Sequence, residues 1–478
     1  MAETAAQRCI REAVSTVNSR RLKDSVPPAP AYRPLPRPSG PPAVVPAPEP
    51  SIGEIGRAAV RLRSGDASCK ELLEDSLLAL ERDNPRLNAV SLTTEERARE
   101  QVLGLDEELA SGRTRGPLHG IPISVSDLIH VASVTTRAGS RSFQVVPDSD
   151  ATAAALLRRS GAVLLGKAAT SEFGLGAAAP STLNPAAAGG AGGSSAGPAA
   201  AVAAGMGLGS LASDTRGSAR VSAALCGVVG FKPTLGTVPT DGLLQVSWSM
   251  DHVGLLARSV PDAALLLDEL AGTRLFSFAG SDPGNLRIGV PPDGTTDVDY
   301  GVLGAFQTAL QRLRRIAGEV VDVLRPATLD FSNSSAAGLV VSRSEAAAYH
   351  RRLGVDRSKL RPEIREQLEA ADRITAVEYL DAQRLRSSLA EAMLKVFEHV
   401  DVLALPTSLV PAPPIDDADD YLVVLCRNTV PWSFIGYPAI SVPCGRTAAG
   451  FPVGVQLVAP PNEEASLVAL GSAFEAAR

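Results

Sequence analysis

The sequence predicts an α/β fold: a single α/β/α domain with a mixed central sheet flanked by helices. Three observations predict it. Strand-like pieces alternate with helix-like pieces from about residue 51 onward. The 478 residues suffice for one large core. A hydrophobic share of 45% and a charged share of 21% are those of an ordinary globular chain.

The elements follow in order. Residues 1–24 read as a helical arm, with Ile10, Ala13, Val14 and Val17 at helical spacing. Residues 25–50 hold eleven prolines, among them Pro27, Pro28, Pro41 and Pro42, and read as an extended linker. The arm ahead of the linker is therefore expected to be tethered, without core contacts, and dispensable for folding. The body, residues 51–478, opens with an apolar stripe at Ile52, Ile55, Ala59 and Leu62, broken by Gly65. Ser68 with Glu71 forms a capping box before a second helix. A third spans about Thr94–Ala110, so three helices are expected before the first strand. Ile121–Val125 alternates as a strand, Ala151–Ser160 as a helix and Ala162–Leu165 as a strand. Ala199–Gly205 is helix-like and Gly227–Phe231 strand-like. Asp262–Leu270 and Ser342–Leu353 are helical, and strand patterns return at Val402–Leu405, Ala439–Val442 and Val453–Val458.

Composition bounds the function. The net charge of −6 argues against a nucleic-acid binder. No apolar run approaches the ~20 residues of a membrane-spanning helix, and the start lacks the apolar core of a secretory signal. A cytoplasmic protein without membrane partners is the expectation. The five cysteines are scattered, with no C-x-x-C pair, so neither a disulfide framework nor a metal site is suggested. No cofactor is expected. Of the 46 basic residues only six are lysines: Lys23, Lys70, Lys167, Lys232, Lys359 and Lys395.

Two serine loops carry the chemistry: Gly192-Gly-Ser194-Ser195-Ala-Gly197 and Ser213-Asp-Thr-Arg-Gly-Ser218-Ala-Arg220. No Gly-Lys-Ser/Thr follows the glycines, which excludes a phosphate loop, and no G-x-S-x-G surrounds Ser194 or Ser218. Ser194 and Ser218 are 24 residues apart, and Ala224-Leu-Cys-Gly-Val-Val-Gly-Phe-Lys-Pro-Thr234 follows. In this combination the sequence resembles the amidase signature family. Further matching segments are Gly116–Pro122, Leu165–Lys167 with Ser171–Phe173, Ser249–Gly254, Leu256–Ser259, Arg427–Thr429 and Gly436–Gly445. The likeness covers about residues 51–478.

The resemblance implies Ser218 as nucleophile and Ser194 as a bridging serine that relays protons through a cis peptide. The two hydroxyls are then expected within hydrogen-bonding range. It implies an oxyanion hole from the backbone N–H groups of Thr215, Arg216 and Gly217. A serine hydroxyl is a poor nucleophile until a base takes its proton, and preorganised donors then hold the oxyanion. Ser195, Asp214 and Arg220 are expected to brace the site or bind substrate.

The pattern breaks at the base. Where the family has a lysine in V-K-D, this chain reads Val125-Ser126-Asp127. A buried lysine can lower its pKa enough to serve as a base, whereas a serine cannot near neutral pH. Arg216 stands where the family has glycine, adding bulk and a fixed charge, and Ala196 replaces the glycine after the serine pair. His130 and His252 are the candidate substitute bases. Three readings stay open: an amidase-like enzyme on a small acyl compound, the same fold doing cyclisation or another carbonyl rearrangement, and a non-catalytic binding or scaffold protein. A transfer-RNA amidotransferase role needs working amide hydrolysis, which the missing lysine opposes. The expected partner is a small-molecule substrate. The arm leaves room for a protein partner, and the body for a homo-oligomer.

Overall fold

A computed structural model of the chain describes residues 4–19, 44–323 and 330–477. Most of the expected linker, 25–43, and the ends of the expected arm helix lie outside the described residues.

The helix of the arm, α1, spans Ala5–Asn18 and starts at a capping box between Thr4 and Gln7. α2 (Glu54–Ser64) stops at Gly65, which takes the left-handed φ of 78° that ends helices cheaply. The Ser68–Glu71 capping box opens α3 (Cys69–Leu87) as the sequence predicts. A short strand, β1 (Val90–Thr93), precedes α4 (Glu95–Ala110), so two body helices and not three come before the first strand. Its four residues alternate too briefly to be read alone, and their pairing partner lies far along the chain.

The sheet core follows: β2 (Pro122–Ser126), α5 (Thr152–Arg159), β3 (Val163–Ala168), α6 (Ala196–Ala203), β4 (Gly209–Ser213), α7 (Ser218–Cys226), β5 (Val229–Lys232), β6 (Val253–Ala257) and α8 (Val260–Ala271). The second half holds β7 (Arg287–Val290), α9 (Tyr300–Ile316), β8 (Glu319–Asp322), α10 (Phe331–Leu353), α11 (Pro362–Ala371) and α12 (Ala376–Val396). β9 (Val402–Pro406), α13 (Leu422–Cys426), α14 (Val430–Phe434), β10 (Ala439–Arg446), β11 (Pro452–Val458) and α15 (Glu464–Ala476) complete it.

Among the described residues all eleven strands join one sheet, in the order β1-β3-β2-β4-β6-β5-β10-β11-β9-β7-β8. It is mixed, as expected: β2 runs parallel to β3 and β4, whereas β4–β6 and β10–β11 are antiparallel. The central strands are buried along their whole length, which matches apolar runs covered by helices on both faces. Ser126, Ala168 and Ser213 close three neighbouring parallel strands. Ligands of open α/β sheets bind outside such carboxyl ends, and the serine loops leave from there. No described helix is long and apolar enough to cross a membrane.

The expectation of a tethered arm is corrected. Ile10, Ala13 and Val17 are buried in a cluster with Phe331, Val340, Leu389 and Met393, on the faces of α10 and α12. Asn18 Nδ2 also donates to Glu378 Oε1 at 3.2 Å. The apolar stripe that the sequence displays thus has its partner on the body, and α1 is part of the core.

Candidate active site

β4 ends at Ser213, and the chain turns through Asp214–Gly217 into α7, whose first residue is Ser218. The turn requires glycine at 217. Its φ is +111°, and a Cβ there would meet Thr429 Oγ1 at 2.0 Å. The turn is pinned from below by a fully buried ion pair, Arg220 to Asp214 at 2.9 Å. Arg220 also donates to Gln456, Ser433 and the Thr429 carbonyl, so its donors are met within the core. The Arg220 charge counters the burial that would otherwise raise Asp214, whose pKa lies below the ordinary carboxylate value. Thr215 hangs from the opposite side, its hydroxyl donating to Asp251 at 2.6 Å. Burial raises Asp251 to about 7 despite donors from Val246 and Ser247.

Ser218 lies in a cavity of about 20 Å³ with Ser194, Thr215, Arg216, Val246 and Leu422 on its walls. The cavity is partly open to solvent. The backbone N–H groups of Thr215, Arg216 and Gly217 have no hydrogen-bond acceptor among the described residues. They immediately precede the amino end of α7, a position suited to a developing negative charge.

The hydroxyls are arranged otherwise than expected. Ser218 Oγ donates to the Ser213 carbonyl at 2.7 Å, and Ser195 Oγ donates to the same carbonyl at 3.4 Å. Ser194 Oγ pairs with Ser171 Oγ at 2.5 Å, and the Ser194 carbonyl accepts from Ser171 N–H. No Ser194–Ser218 bond forms among the described residues, because each hydroxyl finds a nearer partner on its own side. No cis peptide occurs there either. The two serines nevertheless share one cavity.

Ser126 is wholly buried at the end of β2, where its Oγ accepts a long 3.4 Å bond from Leu128 N–H. It is not on the cavity wall. The neighbouring lysine, Lys167 on β3, is equally buried but pinned by Asp127 at 3.2 Å and Thr136 at 2.8 Å. Burial lowers its pKa. His130 bonds Thr136 and so belongs to that same cluster. His252 is locked between the Met250 carbonyl and Lys232, and burial pushes its pKa well down. Neither histidine lines the cavity.

Sequence reasoning missed three contributors. Asp251 and Glu345 anchor the 246–249 segment behind Thr215, with Ser247 donating to Glu345 at 2.6 Å. Arg343 on α10 donates to the carbonyl of Leu175, between two cavity-wall glycines. Glu345 and Arg343 are charged residues at helical spacing and read as solvent-facing, whereas Asp251 lies in the matched 249–254 segment and could have been found there.

A family model described as Amidase matches residues 71–468. An amidase of Pseudomonas putida is 32% identical over 449 residues, covering 88% of this chain and 95% of the relative. A glutamyl-tRNA(Gln) amidotransferase chain of Chloroflexus aurantiacus (strain ATCC 29366 / DSM 635 / J-10-fl) is 34% identical over 474 residues, covering 88% and 96%. A crystal structure of an amidase superposes with a TM-score of 0.82 at 35% identity, covering 89% of this chain and 99% of that one.

Proposed function

The chain belongs to the amidase family, and on that premise we propose a C–N hydrolase or acyl-transfer enzyme that attacks a small amide through Ser218. The observation that carries the proposal is the turn at the head of α7. A serine hydroxyl faces a cavity there, beside three backbone N–H groups without acceptors among the described residues. Attack by Ser218 Oγ would build an oxyanion against Thr215, Arg216 and Gly217, with Asp214–Arg220 and Thr215–Asp251 holding the turn still. Ser194 would serve as the relay serine and Ser195 would brace its loop.

Activation is the weak step. The Ser218 proton points at a carbonyl oxygen, which cannot take it, and no described lysine or histidine lines the cavity. Ordinary amide hydrolysis should be slow for that reason. A second reading, carbonyl rearrangement or cyclisation without hydrolysis, is supported by Arg216, a permanent cation on the cavity wall. The net charge of −6 and the missing base both oppose a transfer-RNA amidotransferase role.

A fluorophosphonate probe followed by peptide mass spectrometry tests the proposal. Labelling of Ser218 that disappears in Ser218→Ala supports it. No label on Ser218 together with no turnover of any amide panel would sink the enzymatic reading.

A further inference from the structure

The wall beside Ser218 carries positive charge that the protein neutralises only in part. Arg216 is only 8% exposed, and its guanidinium makes no ion pair or hydrogen bond among the described residues. Arg343 is wholly buried. One terminal nitrogen donates to the Leu175 carbonyl at 3.0 Å, while Nε and the other terminal nitrogen have no partner among the described residues. Leu175 sits between Gly174 and Gly176, both on the cavity wall, so the unmet donors lie just behind it.

The surroundings supply one carboxylate, and it is shared. The acidic groups that face Arg343 are Asp419, Cys9 of α1 and Cys426 of α13. Asp419 is already taken by Ala177 N–H at 2.8 Å and Arg361 at 3.9 Å. Burial raises both thiols, which keeps them protonated and neutral. Burial, with the Arg216 charge beside it, pushes Arg343 well below the usual guanidinium range. Two neighbouring buried cations with only a shared carboxylate beside them are unfavourable unless a ligand completes them.

We propose that Arg216 and Arg343 form an anion subsite of the Ser218 cavity, selecting small amides whose acyl part carries a carboxylate. The inference rests on the reading of Ser218 as the acyl-accepting residue. A guanidinium fork presents paired donors that match the two oxygens of a carboxylate, and a bound carboxylate would favour its charged form. Arg216 occupies a family glycine position one residue from the glycine before Ser218, so a carboxylate held there lies close to the reacting carbonyl.

The test is calorimetric binding to full-length Ser218→Ala protein, which needs no working nucleophile. The probes are monoamides of dicarboxylic acids, succinamate through adipamate, and the uncharged amides of matching length, butyramide through hexanamide. At least one monoamide should bind about tenfold or more tighter than its neutral match. Arg216→Gln, a change on the cavity wall, should abolish that preference, and Arg343→Met should weaken it. Without ligand, Arg216→Gln should also raise Tm, because a buried unpaired charge has gone. Equal affinity for charged and neutral amides, no binding by either set, or a preference that survives Arg216→Gln would overturn the subsite. Because labelling of Ser218 is measured separately, failure of the subsite and failure of the nucleophile give different results.

Discussion

Ser218 and Ser213 are joined by a 2.7 Å hydrogen bond in which the hydroxyl donates and the backbone carbonyl accepts. A hydroxyl held this way directs its proton at an acceptor that cannot take it. Toward simple primary amides and anilides the unmodified protein should therefore be nearly inert. Ser126→Lys should recover activity, and Ser126→Lys with Arg216→Gly should exceed either single change, since Arg216 crowds the cavity and repels a lysine that must be neutral to act. Restoring a base is worth roughly 10²–10⁴-fold where geometry allows, and partial recovery at the low end is expected. Steady-state rates on a neutral amide check it, and brisk turnover by the unmodified protein would instead show that another base serves Ser218.

The docked arm gives a stability prediction opposite to the one its proline-rich linker suggests. Val17 is 1% exposed between α10 and α12. Val17→Asp places an unpaired carboxyl there and should cost about 2–4 kcal/mol, read as a lowered denaturation midpoint. An unchanged midpoint would mean that α1 is not part of the cooperative unit.

Arg220 and Asp214 are both fully buried, so removing one strands the other. Arg220→Met should destabilise by about 3–5 kcal/mol. The double change Arg220→Met with Asp214→Leu should regain part of that loss, which a double-mutant cycle in urea measures.

Asp251 should make stability depend on pH. Its folded pKa of about 7 lies above the ordinary carboxylate value, so the folded state holds a proton that the unfolded chain has released. Its contribution is fully present below the unfolded pKa and is lost as pH rises through about 7. Between those limits the slope is roughly 1 kcal/mol per pH unit. Asp251→Asn should flatten that part of the profile, and parallel slopes for the two proteins between pH 5 and 7 would refute the assignment.

How much of this was legible in the sequence follows from where each signal has its partner. The Ser68–Glu71 box, the Gly65 stop and the strands at 121–125 and 453–458 carry their causes locally, and they appear where the pattern puts them. β1 and the docking of α1 depend on residues far away, so their short or ambiguous patterns had no local decision. At the site, both serine loops were legible as motifs, and the Asp214–Arg220 brace through the family resemblance they carry. The pairing of Ser194 with Ser171, the common acceptor at Ser213 and the Arg343 donors behind Leu175 were not, because hydroxyl direction and helix facing are set by packing.

The seat of α1 also orders events in time. Asn18 and Glu378 are bonded across 360 residues, so the helix made first must wait for the helices it packs on. At roughly 5–20 residues per second on the ribosome, that wait is on the order of tens of seconds. Throughout it Ile10 and Val17 have no apolar surface to cover them, and the contact they finally make is among the most non-local in the fold. Leu422 borders a pocket together with Cys9 of α1 and also lines the Ser218 cavity. One side chain therefore joins the helix that must dock late to the wall of the Ser218 cavity.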